Sequence, residues 1–334
     1  MKTTFSTLRR GFTLLELIVA MAITSILVVI IVGLTNAGLD IWKSISEDIS
    51  TSTRARVALQ NVCQDFDSMQ WQRGNKFQWL FASSEKTPKT QAAAETLGPK
   101  GLRFANASRL IFFTSSIDRS PAVSSDENLR SNYRAALAHN LDTQGDINAV
   151  GYRLLFRDQI LNLQGGKDGR TFPLYSLYRH RISPRDTFDY LLGREDLEKS
   201  YARFARDDEK HFLVENIIEM TLTFEVEYKG LNKQEKARTE LVSIPVIAAG
   251  SGRNTCDELS LYGDRLVVRG ASVGDIANGH IVAANISITV VTEDGINYAN
   301  LIRLGKRRAP RKLEDFFSKY TRTFARKVLL PQAN

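Results

Sequence analysis

The chain has 334 residues and a formal net charge of +8 at neutral pH. That length accommodates a membrane helix together with a substantial outer domain. Its two cysteines and four scattered histidines form no CxxC or HExxH spacing, which argues against a zinc framework or a metalloprotease.

Lys2, Arg9 and Arg10 form a short basic leader that ends at Gly11. An apolar run then extends from Phe12 to Leu34, broken only by Thr13, Glu16, Thr24, Ser25 and Gly33. Roughly 23 residues give about 34 Å of helix, enough to cross a bilayer. The positive flank leaves the leader on the cytoplasmic side and the bulk of the chain outside. Glu16 is the residue an ordinary anchor does not explain, because a carboxylate in hydrocarbon is costly unless protonated or paired.

Beyond Leu34, the positions Ile41, Trp42, Ile45 and Ile49, then Val57, Leu59, Val62, Cys63, Phe66 and Met69, keep helical periodicity. With neither proline nor glycine between residues 51 and 56, one helix is expected over 12–69. Residues 83–100 read as an exposed excursion. Strands are expected at 102–104, 110–114, 149–156 and 175–180, with a glycine-rich turn at Gly165, Gly166 and Gly169. Residues 115–132 read as loop, and 186–208 as a charged, partly helical surface insertion. Met220 to Tyr228 alternates as a half-buried strand should, and Ile281 to Val291 alternates again. Leu266 to Val268 is a shorter strand, while Asp294 and Gly295 suggest a turn with 298–302 returning. The outer domain, residues 70–302, is therefore α+β with mainly antiparallel strands.

Residues 303–334 read as a basic C-terminal tail. Lys306, Arg307, Arg308, Arg311 and Lys312 suit an anionic partner, either DNA or membrane lipid, and a solvated extension satisfies the same residues. Phe316, Phe317, Tyr320, Phe324, Val328 and Leu329 suggest a short amphipathic helix. Cys63 and Cys256 can form a disulfide after export, or remain two separate buried thiols. No nucleophile elbow and no phosphate loop is present, and the polar turn 142–146 lacks the ligand spacing of an EF-hand. His180, at a strand end, reads as a surface residue. The chain is expected to be neither an enzyme nor a cofactor carrier.

The string Gly11-Phe12-Thr13-Leu14-Leu15-Glu16 on a basic leader resembles the N-terminus of type IV prepilins and pseudopilins. The resemblance implies a pilin-like fold, with a long transmembrane and stem helix over 12–69 packed on the outer domain. It implies removal of residues 1–11 by a prepilin peptidase that cuts after Gly11 and methylates the Phe12 amine. Glu16 would then pair with the Phe12 amine of a neighbouring pilin or pseudopilin during assembly from an inner-membrane platform. The segment from Arg56 to Asp65, the Val150-Gly151-Tyr152 strand, the Leu177-Tyr178-Arg179 strand and the later segments 213–217 and 283–289 resemble J-type minor pseudopilins of type II secretion. Length and insertions also resemble enlarged pilin-like proteins of Verrucomicrobia-type gene cassettes. Two other readings remain open: a type IV pilus minor subunit for adhesion or DNA uptake, and an anchored binding module that never polymerises.

Overall fold

The computed structural model describes residues 13–84, 108–115, 147–157, 173–204, 211–231, 237–247, 254–270 and 276–331. The strand expected at 102–104, the polar turn 142–146 and the glycine turn at 165–169 lie outside the described residues.

Helix α1 (Leu14–Asp67) runs unbroken for 54 residues. No proline interrupts it, so every residue after the first turn can donate to the carbonyl four positions back. The chain divides into two compact units, Met1–Ser50 and Thr51–Asn334. In the first unit the helix carries exposed apolar side chains throughout its hydrophobic run. In the second, Thr51, Ala55, Ala58, Leu59, Val62, Cys63, Asp65 and Phe66 are buried. That spacing traces one helical face, and the small residues in it let the helix sit close to its neighbours.

The second unit contains two antiparallel sheets. The seven-stranded sheet has the order β5 (Phe212–Glu215), β4 (Leu174–Arg181), β3 (Asn148–Arg157), β2 (Ser108–Thr114), β1 (Gln78–Ser84), β8 (Glu258–Tyr262) and β9 (Leu266–Arg269). The four-stranded sheet has the order β11 (Thr321–Leu329), β10 (His280–Val291), β6 (Ile217–Leu231) and β7 (Ala237–Val246). On β6, Ile218, Met220, Leu222, Phe224 and Val226 are buried, while the intervening residues are only partly covered. One helix side chain joins both sheets. Phe66 stacks on Phe112 of β2 at 4.6 Å and meets Phe224 of β6 edge-on at 6.5 Å.

Several expectations need correction. Residues 293–303 form helix α3 (Glu293–Arg303) in place of a turn and returning strand. Thr292 caps it by accepting from the Gly295 N–H at 3.3 Å, and Glu293 and Asp294 favour the positive helix end. The segment 303–331 is no free extension. It holds helix α4 (Leu313–Tyr320) and then β11, which pairs with β10 from Val291↔Thr321 to Ala283↔Leu329. Phe324, Val328 and Leu329 thus lie on a strand, and the amphipathic helix stops at Tyr320. The described part of the insertion, residues 186–204, is docked on the domain. It includes helix α2 (Leu197–Ala202), with Leu191, Leu197, Tyr201 and Phe204 buried. The Tyr201 hydroxyl donates to the His180 carbonyl at 3.0 Å and occupies the space a Cβ at Gly151 would need.

Where α1 meets β3 and β4, a charged cluster is fully enclosed. Arg179 holds Asp65 with two bonds, Nη2 to Oδ1 at 2.7 Å and Nε to Oδ2 at 2.8 Å. The Tyr152 hydroxyl donates to Asp65 Oδ2 at 2.5 Å, and Arg179 Nε also reaches that hydroxyl at 3.1 Å. Asp65 is 1% exposed, Tyr152 0% and Arg179 7%, so water does not screen the pair. Burial, and then the Asp65 charge, raise the Tyr152 phenol well above its ordinary range. Three of the five segments that carry the J-type resemblance contribute one member each.

Asp65→Asn removes the charge from the carboxylate that Arg179 holds through two buried bonds and should destabilise the domain by about 3–5 kcal/mol. Asp65→Leu combined with Arg179→Met should recover most of that loss, as read by urea unfolding followed by tryptophan fluorescence. A second prediction concerns Glu219 on β6, whose carboxyl is pushed up to about 7 by burial. The folded state then binds this proton more tightly than the unfolded chain. Its contribution to stability is complete below about 4.5 and is lost as pH rises through about 7. Glu219→Gln should flatten the stability profile across that window and stabilise the protein at pH 8 by about 1–3 kcal/mol.

Candidate assembly site

The start of α1 carries a reciprocal cap. The Thr13 N–H donates to Glu16 Oε2 at 2.9 Å, and the Thr13 hydroxyl donates to the same oxygen at 3.0 Å. In return the Glu16 N–H reaches Thr13 Oγ1 at 3.3 Å. This is the capping box that a threonine followed three residues later by glutamate can form, and it satisfies helix-end donors with no partner inside the helix. The signal was present in Thr13-Leu14-Leu15-Glu16, although the apolar context draws attention to Glu16 alone. Both side-chain contacts use Oε2, and no described residue occupies Oε1. The carboxylate can therefore cap its own helix and still accept from a second donor. Gly11 and Phe12, the expected processing residues, lie outside the described residues.

The polar interruptions of the apolar run are internally satisfied. Thr24, Ser25 and Thr35 donate their hydroxyls to the carbonyls of Ala20, Met21 and Ile31 at 2.7, 2.8 and 2.8 Å. Such back-bonding removes the main cost of a hydroxyl in hydrocarbon. The helix is long and apolar enough to cross a membrane. At Gly33 and Gly38, a Cβ would meet nothing within 4 Å, so these positions leave smooth helix surface open for close approach. Leu39, Ile41, Trp42, Ile45 and Ile49 are also exposed, which extends the uncovered apolar surface beyond the bilayer-length run.

Cys63 and Cys256 are free, buried thiols. Of the two arrangements the sequence allows, the structure therefore has separate thiols. Burial pushes Cys63 up to about 11 and Cys256 up to about 12, which keeps both protonated and unreactive. Lys306, Arg307, Arg308, Arg311 and Lys312 are exposed in the connection between α3 and α4. His180, read as a surface residue, is instead 2% exposed and lies 4.8 Å from the His211 ring. His280 pairs with Glu227 at 3.2 Å, and His139 lies outside the described residues. Among the described residues, no group of three or more histidine, cysteine or acidic side chains is placed to hold a metal ion.

Residues 7–32 match the prokaryotic N-terminal methylation motif. No curated protein and no solved structure matches the chain. The motif implies processing by a prepilin peptidase and methyltransferase. With a long apolar helix whose later turns pack on antiparallel sheets, it supports a prepilin- or pseudopilin-like fold on a membrane anchor.

Proposed function

We propose that this protein is a minor pilin-like subunit of a type II secretion or type IV filament machine. The observation that carries the reading is the methylation motif placed at the start of an exposed apolar helix with Glu16 in its first turn. Before assembly, lipid covers the apolar surface and the Thr13–Glu16 cap satisfies the helix end. Cleavage after Gly11 creates a positive amine on Phe12, one residue before Thr13 and four before Glu16. The open Oε1 of Glu16 then accepts from the amine of a neighbouring subunit, and this ion pair in a low-dielectric setting sets axial register. The outer domain stays on the periplasmic side and presents its surfaces to adjacent subunits. Motor chemistry belongs to other components of the machine.

Within this class we favour a J-like minor subunit. Three of the five segments that carry that resemblance meet at Asp65, Tyr152 and Arg179, which supports reading those three as parts of one design.

Co-expression with a prepilin peptidase, followed by intact-mass analysis and crosslinking in membranes, tests the assembly reading. The native chain should yield a species that begins at methylated Phe12, and Gly11→Ala should remain uncut. Thr13→Val removes the threonine half of the cap, worth about 1 kcal/mol, and should lower crosslinks to pilin-like partners only modestly. Glu16→Ala should nearly abolish them. Equal losses in the two variants would reduce Glu16 to a helix cap. An uncleaved native chain would favour an anchored module that does not polymerise.

A further inference from the structure

Helices α3 and α4 and the turn between them line an open cleft of about 440 Å3. Its floor is aromatic. Tyr298 and Tyr320 stack with centroids 5.4 Å apart, and buried Phe316 lies 5.4 Å from Tyr320. Its rim carries three cations, Arg307, Arg308 and Lys319, against one acid, Asp315. These groups are held in place before any ligand arrives. The Arg307 guanidinium sits 5.1 Å from the Tyr298 ring centre, and the Lys319 ammonium sits 5.1 Å from that of Tyr320. The Tyr298 hydroxyl donates to the Arg308 carbonyl at 3.2 Å. Gly305, at φ 70°, turns the chain so that the Lys306 and Arg307 N–H groups both bond the Leu301 carbonyl, at 2.9 and 3.1 Å.

We propose that this cleft binds an acidic peptide segment presented by another protein. The volume falls in the range of built ligand sites. Arginine offers a planar fork for a carboxylate, beside an aromatic floor on which an apolar part of the peptide can rest. Three features separate a peptide from other polyanions. The two tyrosine rings already carry the protein's own cations, so they are poor platforms for stacked bases. A duplex is too wide to enter a cleft of this size. Asp315 repels any anionic oxygen beside it, carboxylate and phosphate alike, but it can accept a backbone N–H, a donor that every peptide brings. The inference is independent of whether the chain polymerises.

The test uses the full chain in detergent and a fluorescein-labelled hexapeptide of alternating aspartate and glycine, followed by anisotropy at low salt. The peptide should bind at least about tenfold more tightly than its asparagine counterpart. Arg307→Gln and Lys319→Gln should each weaken it about five- to tenfold. Lys312→Gln removes an exposed cation that does not line the cleft, and it should change binding less than about twofold. An equal loss from Lys312→Gln would overturn the proposal in favour of diffuse charge attraction. So would oligothymidylate or phosphatidylglycerol vesicles that bind more tightly than the peptide and respond to the same two cleft variants. Unchanged thermal unfolding of the three variants, all at exposed positions, would show that the fold is intact.

Discussion

The enclosed Asp65–Arg179 pair is the constraint on which the packing of the stem depends. Transferring both ions from water is costly, and two short Arg–carboxylate bonds and the Tyr152 hydroxyl offset that cost. The value of the pair lies in what it forbids. Rotating the helix by one residue would swing Asp65 about 100° from Arg179 and break both Arg–carboxylate bonds in the core. Greasy contacts such as Phe66 on Phe112 tolerate small slips far better, since one apolar neighbour can replace another. Hydrophobic burial therefore drives the docking, and the ionic cluster selects its register.

The helix then divides by environment with no change of secondary structure. From Thr51 its buried face is used within the chain, while the run from Leu14 to Ile49 leaves large apolar side chains exposed. No soluble monomer exposes so continuous an apolar surface without a further partner. Lipid and neighbouring helices are the two environments that cover a helix on all sides. The internal bonding of Thr24, Ser25 and Thr35 suits either environment, because neither supplies water.

Legibility in the sequence followed the range of the interactions involved. The N-terminal anchor was readable because its signals are contiguous: basic leader, glycine, apolar run and acid. Strands β6 and β10 were readable because each is paired on both sides and shows alternation along its length. β7 went unassigned because an edge strand carries weaker patterning, and Pro245 sits in it where an edge tolerates a missing donor. At α3, Asp294-Gly295 carried more weight as a turn signal than Thr292 did as a helix cap. The physical outcome went the other way because Ile296 and Ala299 are buried against the domain. Strand β11 was hidden by its composition. Its basic residues suggested a solvated end, whereas nine pairs with β10 hold it in the sheet, a long-range fact that no local pattern records.

The basic connection shows the same limit at the level of a site. As sequence, Lys306 to Lys312 is one charge run, and charge runs attract any polyanion. In the fold it separates into two populations. Arg307 and Arg308 line the cleft with Lys319, which comes from the next helix, while Lys306, Arg311 and Lys312 remain outside it. Coulomb attraction depends on distance and on the water between charges, so three cations around an aromatic cleft act as a unit that five neighbours in sequence do not. The phenolic floor also fixes what can approach, because its ring faces are already taken by Arg307 and Lys319. Specificity at this surface thus arises from the convergence of α3, α4 and their turn. Composition alone describes only its net sign.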